Sequence, residues 1–461
     1  MKKVCIVIPD GTGIRNYLYS NLMKHLFKNK CEIVLLHNIS SKAIAEIKKV
    51  HKQPFEVYKL PNYKETAFQK FLRETVCYAR LVYYKKLVNN ATLLNAWKPN
   101  TKSIAKKMFY KLVQFLGKLV SNKYSWVVSL EKIQLQLVLH KSTTLQKELL
   151  KQIQPDVIFS THQRAMNALP LILAAHQLGI ETVGAIFSWD NLPKARLTVK
   201  TDSYVVWSTY MKKELQLYYP EIDTKAITIT GTPQFEFYFN KKFILPKKYF
   251  YEKYALDFSK KILCFSGDDV RTSPFDPVYL NDLASAIEKE NLPYQIVLRR
   301  APVDVSGRFK EVVLKYPSII KEIAPLWNFD ANNRTNWQII YPTFKDVELL
   351  VSTVYYADAV VNVGSTMAHD FAMFGKPAIY LNYNSIVSKE WNIETIYQFQ
   401  HFRSMQGLNP VLWLDAKKEI KKVLNCVFES PKLEQKAWLN LIAEHQKTAS
   451  TRIAKKLISC T

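Results

Sequence analysis

A Gly-Ser-Thr turn at residues 364–366 is the segment whose chemistry is best defined by residue type and spacing. It follows a short apolar run, and Gly364 allows the backbone to approach a ligand closely. Ser365 and Thr366 fall at the predicted N-cap of the next helix, where hydroxyls, free N–H groups and the positive helix end favour a phosphate. Asp370 comes one turn later, in a position to accept hydrogen bonds from a ribose diol. The turn therefore predicts a nucleotide-diphosphate site, although an ordinary strand–helix junction capped by Ser and Thr has the same pattern.

Loops at the ends of predicted strands in the first half of the chain carry candidate acid–base groups. His162 can act as a base near neutral pH, and Asp190, after the next strand, can orient it or bind a sugar hydroxyl. The first strand ends in Asp10-Gly11-Thr12-Gly13, where Gly11 and Gly13 permit close backbone approach to a ligand. Next to Asp190, Trp189 offers a flat apolar ring to a sugar, and Asn191 adds a polar group. Structural interpretations stay open, with Asp10 as a turn residue bonding its own backbone and His162 as a hydrogen-bonding core residue.

The second half of the chain adds cations and a glycine to the predicted phosphate site. Gly267 allows close approach to a phosphate, and Arg271 can neutralise the charge that develops on a departing diphosphate. Arg300 ends the next strand and offers a second cation, with a surface ion pair as the alternative. The adjacent pair Asp268-Asp269 is not the spaced Asp-x-Asp of metal-dependent transferases, so we expect no catalytic metal.

These loops require a scaffold of buried parallel strands. Short apolar runs alternate with helical patterns along most of the 461 residues, which is typical of parallel strands covered on both faces. The predicted strands are residues 4–9, 31–38, 156–160, 182–187, 203–207, 226–230, 261–266, 294–298, 337–341, 359–363, 378–382 and 411–414. The alternation predicts two doubly wound α/β domains, at residues 1–240 and 255–430, followed by a helical segment at 431–461.

Residues 51–150 interrupt this alternation and are expected to form a mainly helical, basic insertion in the first domain. They carry 18 Lys or Arg against five Glu, which is half of the chain's net charge of +26. A helix over residues 104–120 would be strongly amphipathic, with four lysines opposite its apolar face. Residues 51–125 are therefore expected to contact an anionic membrane surface, with a core-packed helix and a solvated lysine face as the alternative.

The expected partners and location follow from composition. Only 12 of the 65 basic residues are Arg and no nucleic-acid-binding motif is visible, so no nucleic acid is expected as a partner. Six scattered cysteines indicate a reducing compartment, and no apolar run reaches the length of a membrane-spanning helix. We expect a cytoplasmic protein, with peripheral attachment to the inner face of the cytoplasmic membrane in keeping with its basic insertion.

The second-domain motif resembles a known family. The run Ala357-Asp358, Val361-Asn362-Val363-Gly364-Ser365-Thr366, Asp370 and Phe374-Gly375-Lys376-Pro377 resembles the nucleotide-sugar site of the GT-B glycosyltransferases. The resemblance implies two Rossmann-like domains facing across a cleft, with the Gly-Ser-Thr turn on the donor diphosphate and Asp370 on the ribose. It also implies that Thr343 and Phe344 hold the donor base and that Asp10 activates the acceptor. Plant and bacterial members usually have His-x-Gly and Glu where this chain has Asn362 and Asp370, and the CDP-glycerol glycerophosphotransferases have a similar C-terminal domain.

The resulting hypothesis is a metal-independent GT-B glycosyltransferase. It would move a sugar from a nucleotide diphosphate sugar, UDP-linked, to a lipid-linked or surface-polysaccharide acceptor. The nucleotide sugar is a co-substrate, and no cofactor is expected. Three alternatives stay open: polyol-phosphate transfer from a CDP-linked donor, sugar-nucleotide epimerisation in the same cleft, and a non-enzymatic basic binder of nucleic acid or membrane.

Overall fold

The chain divides into two compact units. The computed structural model describes residues 1–99, 101–329, 340–429 and 432–460. Unit 1 comprises Met1–Pro233, the short segment Phe399–His401 and the C-terminal stretch from Thr448. Unit 2 comprises Gln234–Gln398 and Phe402–Lys447.

Unit 1 is built on a seven-stranded parallel sheet within its described residues. Its strands are β1 (Lys3–Ile8), β2 (Glu32–His37), β3 (Glu56–Lys59), β4 (Val157–Ser160), β5 (Glu181–Ala185), β6 (Ser203–Val206) and β7 (Ile227–Ile229). Their spatial order is β3-β2-β1-β4-β5-β6-β7. The central strand β1 is fully buried from Val4 to Ile8, as expected for a strand covered on both faces. The predicted parallel arrangement is therefore confirmed for this half of the chain.

The helices of unit 1 connect these strands and form most of the basic segment. They are α1 (Leu22–Lys28), α2 (Ser41–Val50), α3 (Ala67–Leu87), α4 (Ile104–Val120), α5 (Tyr124–Ser142), α6 (Thr144–Ile153), α7 (Leu169–Gln177) and α8 (Thr209–Tyr218). Helix α4 packs on α3 through Tyr110, Val113 and Gly117, which are its buried residues. The edge strand β3 was not predicted, because its four residues are exposed or half-buried and have no continuous apolar run.

Unit 2 contains a second parallel sheet, of six strands within its described residues. The strands of this unit are β8 (Lys261–Gly267), β9 (Tyr294–Arg300), β10 (Ile320–Glu322), β11 (Trp327–Asn328), β12 (Tyr341–Pro342), β13 (Ala359–Asn362), β14 (Ala378–Leu381) and β15 (Leu412–Leu414). The parallel sheet has the order β10-β9-β8-β13-β14-β15, while β11 and β12 form a separate antiparallel pair. The predicted strand at 337–341 lies partly outside the described residues, and its last residue, Tyr341, belongs to that pair rather than to the main sheet.

Helices alternate with the strands of unit 2 as well. They are α9 (Lys247–Lys253), α10 (Asp276–Lys289), α11 (Lys310–Lys315), α12 (Phe344–Tyr356), α13 (Met367–Ala372), α14 (Ile393–Tyr397), α15 (Ile420–Phe428) and α16 (Gln435–Ile442). A last helix, α17 (Ala449–Ser459), returns to unit 1 and packs on α1. Across the described residues, no helix is both long and apolar enough to cross a bilayer.

The order of strands marks one position in each sheet where a ligand is expected. In unit 1 the chain builds outward from β1 in one direction and from β4 in the other, so the order reverses between these two strands. In unit 2 the same reversal falls between β8 and β13. Ligands of open parallel sheets bind beyond the carboxyl ends of the strands at such reversals. A ligand is therefore expected at the loops after β1, β4, β8 and β13.

Candidate functional site

At the reversal in unit 1, Asp10 and His162 form a buried hydrogen-bonded pair. Asp10 directly follows the loop end of β1, and His162 lies in the loop after β4. Nδ1 of His162 lies 2.8 Å from Oδ2 of Asp10, and both side chains are almost completely buried. The other carboxylate oxygen of Asp10 accepts a hydrogen bond from the backbone N–H of Thr12 at 3.0 Å. The structure thus brings together two of the predicted residues, and Asp10 serves both as a turn cap and as the partner of His162.

The environment of Asp10 keeps its carboxyl ionised. Burial alone would raise its pKa, but the adjacent imidazole of His162 and the hydrogen bonds from Thr12 outweigh burial, so the pKa lies below its ordinary value. A carboxylate with a lowered pKa is a weak base but a good acceptor for an imidazole N–H. Asp10 is therefore suited to orient His162, and the imidazole is the better proton acceptor of the two.

The other predicted side chains of this unit have structural partners. Asp190 does not orient His162, because its carboxylate accepts from Ser188 at 2.7 Å and is paired with Lys194. Burial opposes this ionisation, but Lys194 and His401 lower the pKa of Asp190 strongly. Trp189 is only 4% exposed and its ring meets His401 edge-on at 4.7 Å, so it offers no open face to a sugar. The expected contact of Asp190 with His162 is therefore absent, while its binding of a sugar hydroxyl stays a prediction, and the contact of Trp189 with His401 is not predictable from the local sequence.

Three further residues of these loops serve packing. A Cβ on Gly13 would lie 2.6 Å from Oγ1 of Thr161, so this glycine is needed for contact between the loops after β1 and β4 rather than for ligand approach. Gly11 is buried in the same short 3₁₀ turn. Asn191 is buried and accepts a hydrogen bond from Nη1 of Arg164 at 3.1 Å.

At the reversal in unit 2, the predicted phosphate turn follows β13 directly. Gly364 has φ +66°, and Ser365 is half-buried while Thr366 is exposed. The N–H of Ser365 is not free, because it donates to Oδ1 of Asn362 at 2.8 Å. Within the described ranges the N–H groups of Gly364 and Thr366 have no hydrogen-bond acceptor. Two free amides and two hydroxyls therefore remain for an anion.

The neighbouring Asn362 supports a ligand at this turn. Its side chain is fully buried, and its Nδ2 has no acceptor among the residues that the structure describes. A buried amide donor without an acceptor costs about 1–3 kcal/mol, and Oδ1 of the same side chain holds the turn through the N–H of Ser365. The helix that follows, α13, has only six residues, so its dipole contributes less than the sequence suggested. The binding capacity of the turn depends on its individual donors.

A residue with a side chain at position 364 would strain the turn. The positive φ of Gly364 strains any residue with a Cβ, and a Cβ built there would lie 2.7 Å from Cζ of Phe402. The ring of Phe402 therefore packs directly against the backbone of the turn. Glycine is required both by the conformation of the turn and by this contact.

Asp370 lies deeper than expected for a ribose ligand. It is buried in α13, and its Oδ1 accepts a hydrogen bond from the hydroxyl of Tyr238 at 2.9 Å. One carboxylate oxygen therefore already has a protein partner. The sequence placed Asp370 correctly one turn after the Gly-Ser-Thr turn, but the long-range contact with Tyr238 was not predictable.

Comparison with known proteins identifies the fold. No protein-family model matches the chain, and neither does any curated protein. Solved structures do match: UDP-GlcNAc 2-epimerase from Methanocaldococcus jannaschii has a TM-score of 0.53 and 12% identity, covering 99% of this chain and 99% of that chain. UDP-GlcNAc 2-epimerase from Neisseria meningitidis, bound to UDP-GlcNAc, has a TM-score of 0.52 and 12% identity with the same coverage. A glycosyltransferase from Rickettsia africae has a TM-score of 0.53 and 12% identity, covering 100% of this chain and 99% of that chain.

The chain has the GT-B fold. The predicted fold class is confirmed, with a seven-stranded and a six-stranded parallel sheet in its two units. At these identities the likeness extends to the fold and not to the reaction.

The remaining predicted cations of unit 2 differ in whether they are already paired with an acid. Arg271 is exposed and has no acid partner among the described residues, so it stays a candidate cation. Arg300 is already paired, because Nε donates to Glu322 at 2.9 Å and Nη1 donates to the carbonyl of Asp304 at 2.6 Å. The alternative interpretation of Arg300, a surface ion pair, is therefore the one that the structure shows.

Three other residues of this domain are held by local structure. A Cβ on Gly267 would lie 2.8 Å from the ring of Phe309, so this glycine permits packing rather than phosphate approach. The backbone N–H of Thr343, expected to bind the donor base, instead donates to the carbonyl of Leu326 at 3.0 Å. Phe344 is half-buried at the start of α12, and its ring meets Phe243 at 5.7 Å.

The sequence interpretation overlooked Asp268 as a functional group. It follows β8 at the reversal in unit 2, where burial and the nearby acids Asp276 and Asp269 raise its pKa to about 8. Strands β8 and β13 are neighbours with Phe265 opposite Val361, so Asp268 and Gly364, each three residues further on, follow adjacent strand ends. At neutral pH Asp268 is therefore a protonated hydrogen-bond donor. The signal in the sequence was a carboxyl directly after a buried strand, with a second acid eight residues later.

We predict that Asp268 makes the folded protein less stable as pH rises. The unfolded chain releases this proton near the ordinary value of 3.8, whereas the folded chain keeps it up to about 8. The free energy of unfolding should therefore fall between these values, by at most about 1.4 kcal/mol per pH unit. Asp268→Asn should flatten this dependence in urea unfolding at about pH 5 and about pH 8, whereas the exposed control Glu311→Gln should not. An unchanged slope in Asp268→Asn would contradict the assignment.

Arg164 was also overlooked, although it lies two residues after His162. It donates to Asn191, and no carboxylate pairs with it within the ranges that the structure describes. Burial and the nearby cation Arg196 lower the pKa of Arg164, while Asp190, Cys77 and Asp10 act in the opposite direction. Because no ion pair neutralises the charge of this guanidinium near the Asp10–His162 pair, it is suited to bind an anionic group of a substrate.

Among the described residues, no group of three or more His, Cys, Asp or Glu is arranged to hold a metal ion.

Proposed function

We propose that this GT-B protein is a glycosyltransferase that moves a sugar from a nucleotide diphosphate sugar, UDP-linked, to a carbohydrate or lipid-linked acceptor. The observation that carries the proposal is the Asp10–His162 pair at the strand reversal of unit 1. A buried imidazole oriented by a carboxylate is the arrangement that a general base requires. The nucleotide sugar is a co-substrate, and the proposed reaction uses no metal and no cofactor.

The proposed base is Nε2 of His162. Asp10 accepts a hydrogen bond from Nδ1–H, which fixes the tautomer in which Nε2 carries the lone pair. As the acceptor hydroxyl attacks the anomeric carbon, Nε2 takes its proton, and the bond from that carbon to the diphosphate oxygen breaks. The carboxylate of Asp10 then stabilises the imidazolium. Arg164 supports this arrangement as a cation for an anionic group on the acceptor.

The proposed donor site is the turn after β13. The free amides of Gly364 and Thr366 and the hydroxyls of Ser365 and Thr366 would bind the diphosphate, and Nδ2 of Asn362 adds a buried donor. Protonated Asp268 and exposed Arg271 would stabilise the charge that develops on the leaving group. In this proposal Asp370 and Phe344 bind the ribose and the base, as the sequence motif predicts.

We also propose that α4 binds an anionic membrane surface, which would bring a lipid-linked acceptor to the enzyme. Ile104 is 78% exposed and Phe115 is 60% exposed, and the same face of α4 carries three further exposed apolar side chains. These are Met108, Leu112 and Leu119. Exposed lysines 107, 111 and 118 border this face along one side. An apolar face with a lysine border is typical of helices that lie in a membrane interface, here on the cytoplasmic side.

The membrane proposal predicts a measurable loss of binding. The double variant Met108→Ser/Phe115→Ser should bind vesicles containing anionic lipid at least about tenfold more weakly, because each side chain loses apolar burial. Leu314→Ser removes an equally exposed apolar residue from α11 in unit 2 and is the matched control. Equal binding by the double variant and the control in a vesicle sedimentation assay would contradict the role of α4.

The transfer reaction is tested by incubating the protein with UDP-linked sugars, CDP-glycerol and a mixed acceptor extract. The proposal predicts acceptor-dependent release of UDP with the sugar recovered in the acceptor. Appearance of an epimeric UDP-sugar without acceptor would instead identify an epimerase, and release of CMP would identify polyol-phosphate transfer. Each of these two results would overturn the proposal.

A further inference from the structure

A pocket of about 620 Å³ lies at the edge of the unit 2 sheet opposite the phosphate turn. Lys261 begins β8, Asp358 precedes β13 and Lys376 precedes β14, so these lining residues mark the amino ends of the strands. The phosphate turn follows the carboxyl end of β13. Since all strands of this sheet are parallel, the two sites are separated by the length of the strands, about 13–23 Å for strands of this size. The pocket is therefore a separate site within the same unit.

The charge of the pocket is not balanced by the protein. Four lysines line it against a single acid, Asp358, whose Oδ2 accepts the N–H of Ile262 at 2.8 Å and whose other oxygen lies 3.5 Å from Lys261. Lys376 donates to carbonyls at the end of α12, including that of Val354 at 3.0 Å. Neither Lys247 nor Lys260 forms an ion pair within 4 Å among the described residues, and the acid that Lys260 influences, Asp257, is exposed outside the pocket lining. Two ammonium groups therefore remain for an external anion.

Aromatic rings form the other part of the pocket wall. Phe258 is 56% exposed and stacks on Tyr251 with 4.4 Å between ring centroids, so one face of Phe258 is covered and the other is open. Nζ of Lys247 lies 5.2 Å and 5.8 Å from the centroids of these two rings. Tyr355, 44% exposed, adds a second ring. An open ring face beside an ammonium group suits a ligand with both an apolar face and a negative charge.

We propose that this pocket binds an acidic saccharide, with a sugar ring against Phe258 and its carboxylate or phosphate between Lys247 and Lys260. Sugar rings present C–H groups on one face and polar groups on their edges, which matches the exposed rings of Phe258 and Tyr355 flanked by cations. Single-stranded nucleic acid is bound by a groove with several successive stacking rings along the backbone. Here Tyr251 covers one face of Phe258, and the volume corresponds to a few sugar units. The site is independent of the reaction at the strand reversals.

Calorimetric titration of the full chain at about 50 mM salt tests this proposal, with trigalacturonic acid as the carboxylate probe and glucose 6-phosphate as the phosphate probe. Neutral maltotriose and a short oligothymidylate are the comparison ligands. The proposal predicts binding of at least one acidic saccharide and at least about tenfold weaker binding of maltotriose. The tighter of the two acidic probes identifies the preferred anion. Equal binding of maltotriose, tighter binding of the oligothymidylate, or no binding of either acidic probe would overturn the proposal.

Variants locate the binding to the pocket. Lys247→Ala/Lys260→Ala should weaken binding of the acidic probe at least about tenfold, and Phe258→Ala at least about fivefold. Lys248→Ala is the matched control, because Lys248 lies on the same helix, is exposed and pairs with Glu252 outside the pocket lining. If all variants unfold at the same midpoint temperature, their losses of affinity for the probe arise locally in the pocket. Unchanged affinity in the double lysine variant, or an equal loss in Lys248→Ala, would overturn the assignment.

Discussion

His162→Ala is expected to lower kcat of sugar transfer by about 10²–10⁴-fold and to leave UDP affinity within about twofold. The reason is that the proposed base is lost while the phosphate turn of unit 2 is unchanged. Asp10→Asn should give a loss of similar size, because its amide would favour the tautomer with the proton on Nε2. Initial rates with a UDP-sugar and isothermal titration with UDP measure the two effects separately.

His176→Ala is the matched control for this prediction. His176 lies in the same unit, with Nε2 3.1 Å from the hydroxyl of Thr182 and 3.5 Å from Asp202. It therefore has a similar set of partners but lies at the end of α7, away from the strand reversal. The control should retain kcat within about threefold. Retention of activity in His162→Ala, or an equal loss in His176→Ala, would contradict the role of His162.

Gly364→Ala is expected to weaken UDP binding at least about tenfold. The added Cβ lies 2.7 Å from the ring of Phe402, so either the ring or the turn must move and the free amides lose their positions. The positive φ adds a strain of about 1 kcal/mol. Thermal unfolding and titration with UDP measure stability and affinity on the same variant.

The control variant Gly407→Ala separates the effect of backbone strain on stability from the effect of the turn on UDP binding. Gly407 has φ +80° in the same unit, and a Cβ there meets no atom within 4 Å. This control should lose a similar amount of stability from backbone strain but retain its UDP affinity. If Gly364→Ala bound UDP as tightly as the wild type, the turn would not be the diphosphate site.

The parallel sheets were predictable because buried strands have a strong local signal. Residues 4–9 are apolar throughout and residues 359–363 are apolar except for Asn362, which is the pattern of strands covered on both faces. The strand β3 lacked the signal, since an edge strand buries little of its surface. The sequence predicted the apolar face of α4 but left open whether that face is exposed or packed, because periodicity locates an apolar face and not what covers it.

The candidate site was predictable in its positions more than in its contacts. Asp10, His162 and Gly364 all follow strands, and the rule for parallel sheets brings such loops to one edge. The pairing of Asp10 with His162 depends on β1 and β4 being neighbours across about 150 residues, which the strand order decides. The same long-range packing gave Trp189 and Asp370 partners that no local pattern contains.

The turn from Gly364 to Thr366 is proposed to bind the diphosphate of the donor, and selective ¹⁵N-glycine labelling can detect this binding at Gly364 itself. The chain has 11 glycines, so the labelled protein gives few amide signals, and the variant Gly364→Ala assigns the relevant one by its absence. UDP, which carries the diphosphate, is expected to shift the Gly364 signal, whereas uridine, which lacks it, is not. A Gly364 signal that stays unchanged at saturating UDP, while other glycine signals move, would contradict diphosphate binding by this turn.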